Sequence, residues 1–337
     1  MIFKKTSIGF CAIAFLSVFS SCADIGQEKI DEIVPFSVDL PAHFPSIEIP
    51  VDNPITAEKV ALGERLFFDP ILSFDTSVSC ASCHFPDRAF SDTIALSLGV
   101  NNRIGDRNAP SLINVAYATS LFRDGGAPSL EMQIITPIED ENEMHLDIDD
   151  AVVRLQNDPS YVKDFVEVFD TLPTLFGLTR AIAAFERTLI GGSSKYDSFL
   201  QSKDSAVFNS QEKLGLQLFM SDDLKCAKCH EGFYLSDNSY RNNGLYKNAI
   251  DLGRANLTLD SADIGKFRVP SLRNITLTAP YMHDGSLGTL EEVINHYAVG
   301  GKNASNQDSL IKGFDLSDEE HEALVLFLTT LTDTIYR

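Results

Sequence analysis

The chain has 337 residues, 44% of them hydrophobic, and a formal net charge of -21 at neutral pH. That length and apolar content allow two domains with their own cores and exclude a disordered polymer. The acidity excludes a nucleic-acid partner, because binding phosphates needs a basic face.

Met1-Ile2-Phe3-Lys4-Lys5, an apolar run from Ile8 to Phe19 and Ser20-Ser21-Cys22 have the layout of an export signal over residues 1–22. The run is shorter than the ~20 residues that span a bilayer. The small residues before Cys22 resemble a bacterial lipobox, although Phe19 stands where leucine is usual. The expectation is a periplasmic or cell-envelope protein that meets the membrane only through a lipid on Cys22. Residues 23–50, with Pro35, Pro41, Pro45 and Pro50 and no helical period, read as a tether. A helix is expected from Thr56 to Phe67, where Val60, Leu62 and Leu66 alternate with charges before Asp69-Pro70.

Next comes Cys80-Ala81-Ser82-Cys83-His84, which returns later as Cys226-Ala227-Lys228-Cys229-His230. Two cysteines at this spacing can add to the vinyl groups of a haem, and the histidine after them can reach the iron. A bare cysteine pair also suits zinc or a thiol redox centre, but the adjacent histidine is unusual for either. The reading is two covalently bound c-type haems, on His84 and on His230. Of the six cysteines, Cys11 lies in the leader, Cys22 is the candidate anchor and four go to haem, leaving none for a disulfide.

Beyond a polar loop from Arg103 to Pro110, helical patterns run from Asp149 to Phe169, interrupted at Pro159, and from Thr179 to Leu189. Gly191-Gly192-Ser193-Ser194 then breaks the pattern, so the first haem domain is placed at 51–192 and the second at 193–337. The second half repeats landmarks of the first. Leu62-Gly63 returns as Leu214-Gly215, and Pro110-Ser111-Leu112-Ile113-Asn114 as Pro270-Ser271-Leu272-Arg273-Asn274. Asp124-Gly125 and Asp284-Gly285 each follow the asparagine by ten positions, and Leu130-Glu131 and Leu290-Glu291 come six later. Ser317-Asp318-Glu319-Glu320 opens a last helix as a capping box. Few segments alternate as strands do. The expected fold is mainly α, two tandem cytochrome c-like domains.

Alignment on the two Asp-Gly pairs sets Pro137 opposite Tyr297, thirteen residues beyond each aspartate. Proline offers iron no ligand and tyrosine can offer its phenolate, so the first haem reads as open and the second as closable by Tyr297. His296 and Met282 compete for that role.

The two haem motifs, Ala184-Phe185-Glu186-Arg187-Thr188, and Val269 to Asn274 followed by Ala279-Pro280-Tyr281-Met282-His283-Asp284-Gly285 together resemble the bacterial di-haem cytochrome c peroxidases, over about residues 55 to 335. Within that superfamily they most resemble the MauG branch, where a tyrosine closes the second haem. The resemblance implies that Glu143 is the distal acid of the peroxidatic haem, that Gln133 is the distal glutamine and that Pro137 lines the same pocket. It also implies a calcium ion at Asn108, Thr278 and Pro280, and places His283 close to the second haem. Two positions depart from the family. Val100 stands where many peroxidases have a displaceable histidine, and Arg123 replaces the tryptophan between the haems, which leaves Tyr281 or direct tunnelling as the path for electrons.

Three functions follow from the resemblance. The first is a peroxidase that reduces hydrogen peroxide with electrons from a small redox protein, such as a cytochrome c or a copper protein (a cupredoxin). The second is a MauG-like oxidase that acts on residues of a partner protein. The third is a non-enzymatic di-haem electron carrier.

Overall fold

The structure, a computed structural model, describes residues 36–334. The leader, Cys11 and the lipidation candidate Cys22 lie outside the described residues, as does the first part of the 23–50 tether. Helices dominate: α1 (Ala57–Phe68), α2 (Leu130–Gln133), α3 (Ile135–Glu139), α4 (Ile148–Gln156), α5 (Pro159–Phe169), α6 (Leu175–Glu186), α7 (Lys195–Ser202), α8 (Ser210–Met220), α9 (Ala255–Thr258), α10 (Leu290–Ala298) and α11 (Asp318–Thr329). One antiparallel pair of two-residue strands, β1 (Tyr240–Arg241) and β2 (Phe267–Arg268), forms the sheet among the described residues.

Local chemistry explains the boundaries. Thr56 caps α1 by accepting from the Lys59 N–H, and Asp69, in extended conformation ahead of Pro70, ends it. Pro159 closes one helical pattern and, as first residue of α5 behind the Asp158 cap, opens the next. α6 starts four residues before the expected Thr179, because Thr174 accepts from the Gly177 N–H and the apolar run Leu175-Phe176 continues the helix backwards. Ser317 and Glu320 make the capping box of α11.

The repeated landmarks are packing devices. A Cβ on Gly63 would lie 1.9 Å from the Ala181 carbonyl oxygen, and one on Gly215 would lie 2.0 Å from that of Ala323. Glycine thus lets α1 cross α6, and α8 cross α11, at backbone contact. Asn114 and Asn274 are both fully buried and left-handed, at φ 61° and 58°. Asn114 donates to the Gly191 carbonyl and Asn274 to Asp333, so each ties its loop to the end of its own half.

The hydrophobic core falls into two clusters, one from Leu62 to Leu189 and one from Tyr196 to Leu331, with Leu277 packing against the first. The changeover lies around Gly191 and Gly192. Residues 41–45, read from sequence as tether, are packed against the body. Phe44 is buried under the Arg273 guanidinium, 4.6 Å above its ring, and beside Phe233. His43 hydrogen-bonds Asp197 at 2.7 Å, and Tyr117 donates to the Pro45 carbonyl. Asp197 and Arg273 form a bidentate pair in which each is 1% exposed. A proline-rich stretch without a regular apolar period does not reveal this docking.

Candidate haem sites

Each haem motif folds as one tight turn. The Cys83 and His84 N–H groups donate to the Cys80 carbonyl, and those of Cys229 and His230 to the Cys226 carbonyl, which gathers both thiols and the histidine within one turn. The imidazoles are held alike. Nδ1 of His84 lies 2.8 Å from the Phe90 carbonyl, and Nδ1 of His230 lies 3.1 Å from the Leu235 carbonyl. A carbonyl only accepts, so Nδ1 carries the proton and Nε2 keeps its lone pair for a metal. Burial lowers both histidine pKa values, which keeps the rings neutral.

Behind each imidazole stands a second repeated contact that the sequence displayed without revealing its use. Ser111 donates to the Ala89 carbonyl and Ser271 to the Tyr234 carbonyl, both at 2.6 Å, one residue before the carbonyl that holds the histidine. Ala89, Phe90 and Leu235 have positive φ, between 52° and 55°, and the serines brace these loops.

Burial pushes the Cys83 and Cys226 thiols up to about 11, and raises Cys80 and Cys229 as well. Among the described residues no three His, Cys, Asp or Glu side chains group to hold a metal ion.

Around His230 the chain encloses a cavity of about 310 Å³ whose walls include Cys226, Cys229, Tyr297, Met282 and His283. Leu272, Ile294 and Leu328 make much of the remainder apolar, as a porphyrin face requires. Of the three candidate ligands, Tyr297 and Met282 line this cavity. His296, the neighbour of Tyr297, points its Nε2 at the Asn243 carbonyl, 3.0 Å away. Burial pushes the Tyr297 phenol up, opposed by the Asn243 amide, so it ionises only against a cation. The same amide donates to the Met282 sulfur at 3.3 Å. Asn243 organises this wall, and no motif had marked it. His283 stacks on Phe267, with ring centroids 3.9 Å apart.

On the His84 side, Glu143 sits on a tight turn and faces Cys80 and Cys83, whose pKa values its charge helps to raise. The side chain is exposed yet set among protein groups. That surrounding protein, and then the charges of Asp140 and Asp106, push its carboxyl up to about 7. Val100, fully buried, donates its N–H to the Glu143 carbonyl at 2.8 Å, so the position read as a lost ligand fixes the acid. Gly99 makes this possible, since a Cβ there would meet the Glu143 carbonyl oxygen at 2.4 Å. Gln133 and Pro137, four residues apart on consecutive helical turns, share a face. The Pro137 carbonyl accepts from the Met144 N–H, next to Glu143.

Asn108, Thr278 and Pro280, expected around calcium, line the His230 cavity together with Arg123. Arg123 donates to the Asn108 side-chain oxygen at 2.6 Å and to its carbonyl at 3.1 Å. Two unit charges ~4 Å apart repel by ~4 kcal/mol at the effective dielectric of such sites, and a dication doubles that. Calcium does not fit beside this guanidinium. Tyr281, one of the two expected electron paths, lines the cavity and donates its hydroxyl to the Ile275 carbonyl.

Two Cys-X-X-Cys-His turns, each with its imidazole held with Nε2 free for iron, are the mark of a two-haem protein. A family model described as di-haem cytochrome c peroxidase matches residues 57–205. The chain is 39% identical over 290 residues to the methylamine utilization protein MauG of Methylorubrum extorquens, covering 85% of this chain and 81% of that one. It is 35% identical over 324 residues to a cytochrome c peroxidase of Denitromonas iodatirespirans, covering 86% of each. A solved structure of a MauG-like protein associated with microbial copper homeostasis superposes with a TM-score of 0.84 at 34% identity, over 89% of this chain and 97% of that one. The chain belongs to the di-haem cytochrome c peroxidase family.

Proposed function

We infer that the chain is an exported peroxidase with both haems bound through its cysteine pairs, reducing hydrogen peroxide to two waters with two protons and two electrons from a small redox protein. Haem, when bound, supplies an iron at which the O–O bond breaks and a second iron that shares the oxidising equivalents. His84 would hold the first through Nε2, and the sequence alignment sets Pro137 in the first half where the second has Tyr297. Glu143 would accept a proton from peroxide and return it to the departing oxygen as water, and Gln133 would orient the peroxide. The observation that carries this reading is the placement of Glu143: the buried Val100 N–H fixes its turn beside Cys80 and Cys83, and its carboxyl is pushed up to about 7 there.

Tyr297 is the ligand proposed for the second iron. A phenolate there would favour the oxidised metal, so the fully oxidised protein should react with peroxide without prior reduction. A MauG-like oxidation of a partner protein is the second reading, supported by the identity to the Methylorubrum extorquens protein. An electron carrier would have no use for a carboxyl tuned in this way. Among the described residues no helix is long and apolar enough to cross a membrane, which suits a periplasmic body tethered by a lipid at Cys22. Peroxide consumption by the holoprotein with reduced cytochrome c or cupredoxin tests the first reading. Oxidation of one periplasmic partner in place of steady turnover selects the second, and no reaction with peroxide sinks both.

A further inference from the structure

We propose that Arg123 is the resident cation between the two haem sites, its guanidinium taking the Asn108 oxygen that the family resemblance gives to calcium, so that the chain binds no calcium there. The inference rests on the haem reading but not on the identity of the reducing partner.

Asn108 cannot serve both cations. It is 4% exposed and its amide orientation is set from both ends: Nδ2 donates to the Ile94 carbonyl at 3.3 Å, while Oδ1 accepts from Arg123. Its backbone is fixed too, with its N–H on the His283 carbonyl at 2.8 Å and its own carbonyl on Arg123 Nε. Arg123 therefore spans a loop of the first half that is itself bonded to the second. It lines the His230 cavity, and its charge helps to lower the His84 pKa, so both haem sites feel it.

The surroundings are also wrong for a hard dication, which collects carboxylates. Arg107 clamps Asp124 and Asp251, each at 2.6 Å, and Tyr246 holds Asp284 at 2.6 Å. Arg268 and Arg107 lie close enough to depress the Arg123 pKa, and Arg268 Nε is buried without a partner. Among the described residues Arg123 has no salt-bridge partner. Burial and these two arginines lower its pKa to about 10, which leaves it charged at neutral pH. The nearby carboxylates are already engaged, Asp124 and Asp251 by Arg107 and Asp284 by Tyr246, so a guanidinium with no salt bridge of its own suits the carboxylates of a haem and repels calcium.

The test uses the haem-loaded protein. After dialysis against millimolar calcium and then buffer, metal analysis should find less than about 0.1 calcium per chain, and chelator should leave the optical spectrum and the melting temperature unchanged. Arg123→Leu frees the Asn108 oxygen and removes the charge, so its melting temperature should rise with added calcium, while Arg123→Lys should stay indifferent. About one calcium per parent chain overturns the proposal, and so does an Arg123→Leu protein as indifferent to calcium as the parent. Should Arg123→Leu fail to fold, the parent's calcium content decides. None of these readouts requires peroxide, so failure of the peroxidase reading would show separately.

Discussion

Replacing Glu143 by Gln removes one proton-accepting oxygen and keeps the side-chain shape. Protein surroundings, Asp140 and Asp106 raise the carboxyl to about 7. About a tenth of it is then ionised at pH 6 and about nine-tenths at pH 8. If the carboxylate takes the peroxide proton, the second-order rate of the oxidised holoprotein with peroxide should rise about tenfold over that interval and level off above it. An unshifted glutamate would give a flat profile there. Glu143→Gln should be slower by about 10²–10⁴, the usual share of a positioned proton shuttle, and should lose the rising limb. Asp140→Asn removes the like charge while keeping an acceptor for the Asn142 N–H, so its limb should move to lower pH. Stopped-flow absorbance of the haem bands between about pH 5.5 and 8.5 measures all three. A Glu143→Gln protein that reacts within about threefold of the parent, with the same limb, would remove this residue from the mechanism.

Tyr297→Phe should raise the reduction potential of the His230 haem by on the order of 100 mV, since axial ligands set haem potentials; an unchanged potential and spectrum would transfer the role to Met282. Asp197→Asn leaves Arg273 buried and half-paired and should cost ~3–5 kcal/mol in denaturant unfolding. Because Arg273 and its hydrogen bonds overcome burial and hold Asp197 at about 2, the parent should lose this stability as pH falls from about 4 toward 2, and the variant should not. Burial pushes Glu186 to about 8, and its Oε2 has no partner. Its protonated form favours the folded chain below about pH 4.5, and that contribution is lost as pH rises toward 8, by up to ~1.4 kcal/mol per unit. Glu186→Gln should thus gain more in melting temperature at pH 8 than at pH 5; an equal gain at both would contradict the assignment.

Repetition made most of the architecture legible. Leu62-Gly63 and Leu214-Gly215 recur because each half crosses two helices at a glycine, and Asn114 and Asn274 recur because each half closes its loop with a left-handed asparagine. The haem turns were legible because their chemistry is local. Contacts between distant residues were not. The Val100 N–H on the Glu143 carbonyl, the Asn243 amide between Tyr297 and Met282, and Arg123 on Asn108 each join separate loops with no period to announce them. Docking of Phe44 was hidden for the same reason. Sequence can show that tryptophan is absent between the haems; only the fold shows what its arginine does instead.

The two irons should be unequal at rest, one with an open face above His84 and one closed by Tyr297. Low-temperature electron paramagnetic resonance of the fully oxidised holoprotein tests it most directly. The account predicts one high-spin signal that changes on adding a small anionic ligand, beside one low-spin signal that does not and that is altered in Tyr297→Phe. Two low-spin signals, both indifferent to the ligand, would contradict it.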